Sequence, residues 1–472
     1  MPVNVIIVTM TISQESIAAA GGPKYLAIAE VIAQEIRSGS IRAGDRLPTH
    51  RDLAYTLGVT VGTVSRAYGE IHRRGLTSGE VGRGTYVSLG RPETTVFDIR
   101  RPQGNVGVID MSMNRPTTGK AGEYMARTLA EISSSKGISV LTEYQAACGM
   151  PSHRESGARL LSTIGLNARP EDIIMTNGAQ HGMAALFMSL LNSGDLLLTE
   201  KLTYPAVKAL ARTMNLRLRG LEMDNKGLMP EAFEDACKTS GAKALYTMPT
   251  VHNPTNAIQG EQRRRDLAAI AEKYGVAVIE DDVYGFLPTE RPPPLVTFAP
   301  EQGYFLTSTA KSVTPGLRIG YVLGPARAAA RISHAVQITG WMVPPLMGEL
   351  TSRWINDGTA AELIAWHREN AAFRNSIARN IFKGFDTSTQ PESYHLWLAL
   401  PEGLLVEELT RACTLKGIAV SLPDSFSLAG APVPARVRVC LGGTSIISEL
   451  EKGLTILRDI FDHPPAPDLS QF

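Results

Sequence analysis

The sequence lacks most of the features that would set it apart from ordinary globular proteins. Its four cysteines, Cys148, Cys237, Cys413 and Cys440, have neither metal-site nor disulfide spacing, and read as buried thiols in a reducing compartment. There is no excess of one charge: 47 Lys and Arg face 46 Asp and Glu, a net +1, so any nucleic-acid surface has to be local. No apolar run is long enough to span a bilayer, and there is no internal repeat or low-complexity tract. The opening M-P-V-N-V-I-I-V-T-M is short and has no basic lead, so it is not read as a signal peptide, and Met10 serves as a start as well as Met1. The expectation is a cytoplasmic protein with no metal and no membrane partner.

What is present is concentrated in two regions. After an extension over 1–23, residues 24–88 carry nine cations against six anions, an excess of +3 that leaves the remainder net acidic. Tyr25, Ile28, Ile32 and Ile36 recur at helical spacing up to Gly39. Thr49 with Asp52 predicts a capped helix over His50–Leu57, stopped at Gly58. Thr60 predicts the cap of a third helix that carries Val61, Val64, Tyr68 and Ile71 and ends at Gly75. L-T-S-G-E-V-G-R-G-T-Y-V then reads as a hairpin with a Gly-rich tip. Three helices and a hairpin make a winged helix-turn-helix, whose third helix enters the major groove of double-stranded DNA. Arg51, Thr60, Gly62, Thr63 and Arg66 are the candidate contacts there, with Arg83 at the tip of the wing.

Residues 89–108, with Arg91-Pro92 and Arg101-Pro102 and no lasting periodicity, read as a tether. From 109 to 472 apolar β-branched runs alternate with helical stretches, which predicts an α/β layer with a mainly parallel sheet and ligands at the carboxyl ends of its strands. Residues just past those runs are therefore the candidates. Asn177-Gly178-Ala179-Gln180 leads into a helix predicted over 182–191, where the amides of Gly178, Ala179 and Gln180 suit a phosphate. Tyr204 is placed to stack on a planar ring, and Asn253 to donate to a ring hydroxyl. Asp281 is placed to keep a pyridine nitrogen protonated, and Tyr284 to reach the ring hydroxyl. The stretch T-S-T-A-K-S-V-T-P-G-L-R-I-G-Y (307–321) completes the set. Lys311 can form a Schiff base with a phosphorylated aldehyde, while Ser308 and Arg318 bind its phosphate.

Two resemblances follow from these residues. L-P-T-H-R-D-L-A-Y-T-L-G-V-T-V-G-T-V-S-R-A-Y-G-E-I-H-R-R-G-L with G-R-G-T-Y-V resembles the DNA-binding domain of GntR-type regulators. Residues 109–457 resemble fold-type I aminotransferases, with a small C-terminal α+β subdomain from about 340 to 472. That resemblance implies pyridoxal 5′-phosphate on Lys311, with Asp281, Asn253, Tyr284, Tyr204, Gly178, Ala179, Gln180, Ser308 and Arg318 around it. In Y-Q-A-A-C-G-M-P-S-H-R it implies that Tyr144 reaches the phosphate of a partner subunit, hence a homodimer. In A-R-V-R-V-C-L it implies that Arg438, or its neighbour Arg436, binds an effector carboxylate. Two departures stand out. Ala310 replaces a hydroxyl-bearing residue before the lysine, and S-Y-H-L-W (393–397) replaces a Gly-rich segment on the substrate side. The combined layout resembles the MocR subfamily of regulators, which implies an operator-binding protein that senses a small amino compound. An ectoine-catabolism intermediate such as a diaminobutyrate derivative is the expected effector. A working aminotransferase and a sensor of the cofactor itself are the alternatives.

Overall fold

The structure, a computed structural model, describes residues 23–38, 41, 45–73, 76–80, 84–87, 108–428 and 433–465. The chain divides into two compact units, with the division between Arg100 and Arg101. Arg83, the Gly39 and Gly75 helix stops, and all but the last residue of both the expected tether and the N-terminal extension lie outside the described residues.

In the first unit the helices are Lys24–Ser38, His50–Leu57 and Val61–Arg73, followed by an antiparallel pair, Thr77–Glu80 with Gly84–Val87. Thr49 caps the second helix, its hydroxyl oxygen accepting from Asp52 N at 3.2 Å, and Gly58 ends that helix in the left-handed region at φ 62°. Ile28, Ile32, Leu53, Leu57, Val64, Ile71 and Val87 form the core. Burying each such side chain stabilises the fold by roughly 1.5–3 kcal/mol. Tyr68 joins them with its hydroxyl donating to the Pro48 carbonyl at 2.9 Å, which ties the third helix to the turn before the second.

The second unit is built on a seven-stranded sheet whose strands lie, from one edge to the other, in the order Ile174–Thr176, Gly320–Leu323, Gly303–Ser308, Ala277–Asp281, Ala244–Thr247, Leu196–Glu200, Arg217–Leu221. All neighbouring pairs are parallel except those of Gly320–Leu323, which runs antiparallel to both its neighbours. The inner strands are fully buried and read as near-continuous apolar runs, as expected when helices cover both faces. A smaller subdomain carries an antiparallel sheet of Thr387–Ser388, His395–Ala399 and Arg436–Cys440, packed on the helices Thr359–Ile381 and Ile447–Asp462. It is not formed by the C-terminal residues alone. Ile109–Met111, the first strand of the unit, pairs in parallel with Ile418–Val420, and Met111 is fully buried in the subdomain core. Among the described residues no helix is long and apolar enough to cross a membrane, and no cluster of His, Cys, Asp and Glu suits a metal.

Candidate functional site

The carboxyl ends of the central strands converge on Lys311. It lies in the turn after Gly303–Ser308, where Thr309 O accepts from both Val313 N and Thr314 N, and Thr309 N returns to Ile319 O. The Lys311 amine donates to the backbone carbonyl of Asn114 and sits 5.8 Å from the centre of the Tyr284 ring. Burial, reinforced by the neighbouring Arg438 guanidinium, brings this amine down to about 8. About a tenth of it is therefore the free base at pH 7, against well under a thousandth for an ordinary lysine, which favours a nucleophilic role.

Asp281 ends the strand Ala277–Asp281 and is buried; its Oδ2 accepts from Tyr246 Oη at 2.6 Å and its Oδ1 from Val283 N at 3.3 Å. Burial raises its carboxyl to about 6. Asn253 follows a loop anchored by the buried Arg264, which donates to Pro249 O and to Thr250 Oγ1 at 2.9 Å each. Asn253 Oδ1 accepts from Arg438 Nη1 at 2.8 Å, so its amide hydrogens are turned elsewhere. Tyr284 Oη accepts from Asn114 Nδ2 at 2.8 Å, and burial raises the phenol, so it keeps a hydrogen to give. Tyr204 precedes the helix Pro205–Thr213, and Asp281, Arg438 and Arg318 all act on its phenol electrostatically.

The amides expected to receive a phosphate lie at the start of the helix Ala179–Leu190, which begins three residues earlier than the 182–191 expected from sequence. Gly178 has φ 81° and ψ 171°, a region reserved for glycine, and a Cβ there would stand 2.7 Å from Arg318 Nη2. Arg318 is itself left-handed at φ 56° and donates to Asn177 O at 3.2 Å. Of the three amides expected to bind phosphate, that of Gly178 is committed to Thr176 O at 2.8 Å. Ala179 and Gln180 lie in the first turn, where amides have no partner within the helix. Ser308, buried at the end of its strand, completes this corner.

The paired candidates near the C-terminus separate in depth. Arg438 is buried, donating to Asn253, Ser112 O and Ser421 Oγ, and stacks 4.8 Å from the Phe426 ring. Arg436, one pleat outward, pairs with Asp386. Tyr144 is 81% exposed, and its ring packs on the half-exposed Trp341 at 5.5 Å. On the first unit Arg51, Thr60, Gly62 and Arg66 are exposed and Thr63 is half-buried; Thr60 Oγ1 accepts from Thr63 N at 3.2 Å as the cap of its helix. Sequence reasoning missed Asn114, Ser112, Tyr246 and Ser421. Only Tyr246 left a signal, a hydroxyl inside an otherwise apolar strand.

Pyridoxal 5′-phosphate fits these residues. Lys311, Arg438 and Arg318 bring three cations to the site and Asp281 one carboxylate, a surplus that an anionic ligand would balance. Asn253 and Tyr284 each have one polar atom fixed by a neighbour and a hydrogen left to donate, which is complementary to a phenolate.

Residues 106–454 match the family described as aminotransferase class I and II, and residues 24–87 match the bacterial regulatory proteins of the gntR family. The chain is 31% identical over 448 residues to the uncharacterized HTH-type transcriptional regulator YdeF of Bacillus subtilis (strain 168), covering 95% of this chain and 96% of that one. It is 26% identical over 437 residues to the HTH-type transcriptional regulator YjiR of Escherichia coli (strain K12), covering 86% and 92%. The Pyrococcus horikoshii kynurenine aminotransferase structure superposes with a TM-score of 0.69 at 23% identity, covering 76% of this chain and 91% of that one, and so shares its fold.

Proposed function

The chain belongs to the MocR-type GntR transcriptional regulators, with a helix-turn-helix head and an aminotransferase class I and II body, and from that premise we propose that it is a pyridoxal-phosphate-dependent sensor of a small amino compound. The observation that carries this reading is the pairing of a buried amine near 8 with a buried guanidinium, Arg438, that no carboxylate neutralises among the described residues. Lys311, Asp281, Asn253, Tyr284, Tyr204, Ser308, Arg318 and the amides of Ala179 and Gln180 hold the cofactor. When bound, the cofactor supplies an aldehyde that takes up primary amines reversibly.

The protein's own groups do the rest. Asp281 holds a proton at the ring nitrogen, Asn253 and Tyr284 donate to the ring oxygen, and Arg438 binds the carboxylate of the incoming amino compound. Lys311 would be the amine that holds the cofactor until an effector amine competes for it, and a diaminobutyrate derivative from ectoine breakdown is the effector we favour. Binding changes transcription because the effector has different affinities for two arrangements of the protein. The exposed Tyr144–Trp341 pair, with Ile138 and Val140 also exposed, supports a homodimer in which Tyr144 reaches the partner's site. In the cytoplasm, such a dimer presents two heads to two half-sites on double-stranded operator DNA.

The test is to incubate the cofactor-loaded protein with candidate amines and follow the visible band, keto-acid release and operator affinity together. A spectral change with altered operator affinity and no keto acid is the expected result. Steady keto-acid turnover supports the second reading, an aminotransferase, which the near-complete set of site residues makes chemically feasible. Operator affinity that responds to the cofactor alone and to no amine supports sensing of the cofactor itself.

A further inference from the structure

His395 is fully buried on the wall of the site, in the S-Y-H-L-W segment that departs from the family pattern. Its Nε2 lies 3.1 Å from the Pro254 carbonyl, which can only accept, so the ring proton sits on Nε2. Burial, with help from Arg438, pushes the ring well below its ordinary value, so it stays neutral and Nδ1 keeps its lone pair. Asn114 Nδ2 lies 3.1 Å from that lone pair. Ser393 Oγ is farther, at 3.4 Å, and also donates to Asn256 Oδ1. Turning the Asn114 amide over would set its oxygen against the Nδ1 lone pair, acceptor against acceptor. His395 therefore decides which way Asn114 faces.

With that orientation fixed, the second amide hydrogen of Asn114 goes to Tyr284 Oη at 2.8 Å. Tyr284 accepts this bond, and its own hydrogen is left to donate; among the described residues no acceptor takes it. Asn114 Oδ1 is buried without a partner. We propose that His395, through Asn114, is a positioning residue that fixes Tyr284 as a donor into the site. Were the amide reversed, Asn114 would take the Tyr284 hydrogen and the donor would be lost. This inference rests on the cofactor reading above, in which the acceptor is the ring oxygen.

The experiment uses the full-length protein loaded with pyridoxal 5′-phosphate and titrates its visible absorption band with pH. A hydrogen bond to the ring oxygen stabilises its anionic form and lowers the midpoint. The other groups acting on Tyr284, namely Arg438, Tyr204, Cys440 and Asp281, are the same in every variant. His395→Leu, which frees the Asn114 amide to turn over, is expected to raise the midpoint by about one pH unit, a tenfold change in proton affinity, whereas Asn114→Leu removes the oxygen that would take the Tyr284 hydrogen and is expected to stay near the wild type. In His395→Gln an amide nitrogen donates to Pro254 and an amide oxygen accepts from Asn114, so this variant is expected to titrate like the wild type. Tyr284→Phe should raise the midpoint as well, and adding His395→Leu to it should change nothing further.

A wild-type midpoint in His395→Leu overturns the relay, and so does a His395→Leu shift that persists undiminished on the Asn114→Leu or the Tyr284→Phe background. If His395→Leu does not fold, His395→Phe, which keeps the bulk of the ring and lacks both nitrogens, takes its place, and a wild-type midpoint there overturns the relay. A wild-type protein that takes up no cofactor would instead overturn the reading of the site itself.

Discussion

Replacing Gly178 with alanine tests how closely the phosphate corner is built. The substitution places a methyl group where φ is 81° and ψ 171°, a conformation that costs a residue with a Cβ on the order of 1–3 kcal/mol. That Cβ would stand 2.7 Å from Arg318 Nη2 and 3.1 Å from its central carbon, so the guanidinium has to move. Its long side chain moves easily, so the folded protein survives, but the hydrogen bond to the ligand is weakened or lost. A hydrogen bond to a charged group contributes about 1.5–3 kcal/mol, so affinity for pyridoxal 5′-phosphate should fall roughly ten- to hundredfold. Absorbance titration of the apoprotein measures this, and its melting temperature without cofactor reports the backbone strain separately. Arg318→Ala should lower affinity as well, and on that background Gly178→Ala should cost little more affinity. Wild-type affinity in Gly178→Ala, or a full additional loss on the Arg318→Ala background, would refute the argument.

The depressed Lys311 amine makes the apoprotein's stability depend on pH. The folded state releases this proton near 8 and the unfolded chain near the ordinary 10.5, so stability rises with pH across that window. The difference in melting temperature between wild type and Lys311→Met, followed from pH 7 to 10.5, should show that rise; a flat difference counts against the shift. Arg51→Ala and Arg66→Ala should each weaken operator binding, by roughly 1–3 kcal/mol where the side chain reads a base, as measured by a gel or anisotropy titration at fixed salt. Tyr144→Phe should loosen cofactor retention without dissociating the dimer; sedimentation of a micromolar monomer that still holds cofactor tightly would show that the site is complete in one chain.

Much of the candidate site was legible because most of the residues brought together there end or closely follow a buried apolar strand, where this architecture gathers ligands. Asp281 ends its strand outright, while Ser308 and Lys311 end and follow theirs. Arg436 and Arg438 could not be separated from the sequence, since residues two apart on a strand share a face. Depth along the strand separates them, and depth depends on the register Trp397↔Arg438 with a neighbouring strand. The commitment of the Gly178 amide to Thr176 was equally hidden, because it is set by a turn and not by residue type. Asn114 was invisible for another reason. It comes from the opposite end of the body, 197 residues from the lysine it touches, in a segment with no motif of its own.

That segment has a mechanical aspect. Immediately after Ile109–Met111, the first strand of the second unit, Ser112 offers its carbonyl to Arg438 at 2.8 Å and to Ser421 Oγ at 2.6 Å, and two residues on Asn114 offers its own to Lys311. The chain that leads from the DNA-binding head is thus latched by the two cations the effector would need. A carboxylate competing for Arg438, and an amine displacing Lys311, would draw on the same latches from opposite sides. Both would pull on the backbone of 112–114, the stretch that opens the second unit.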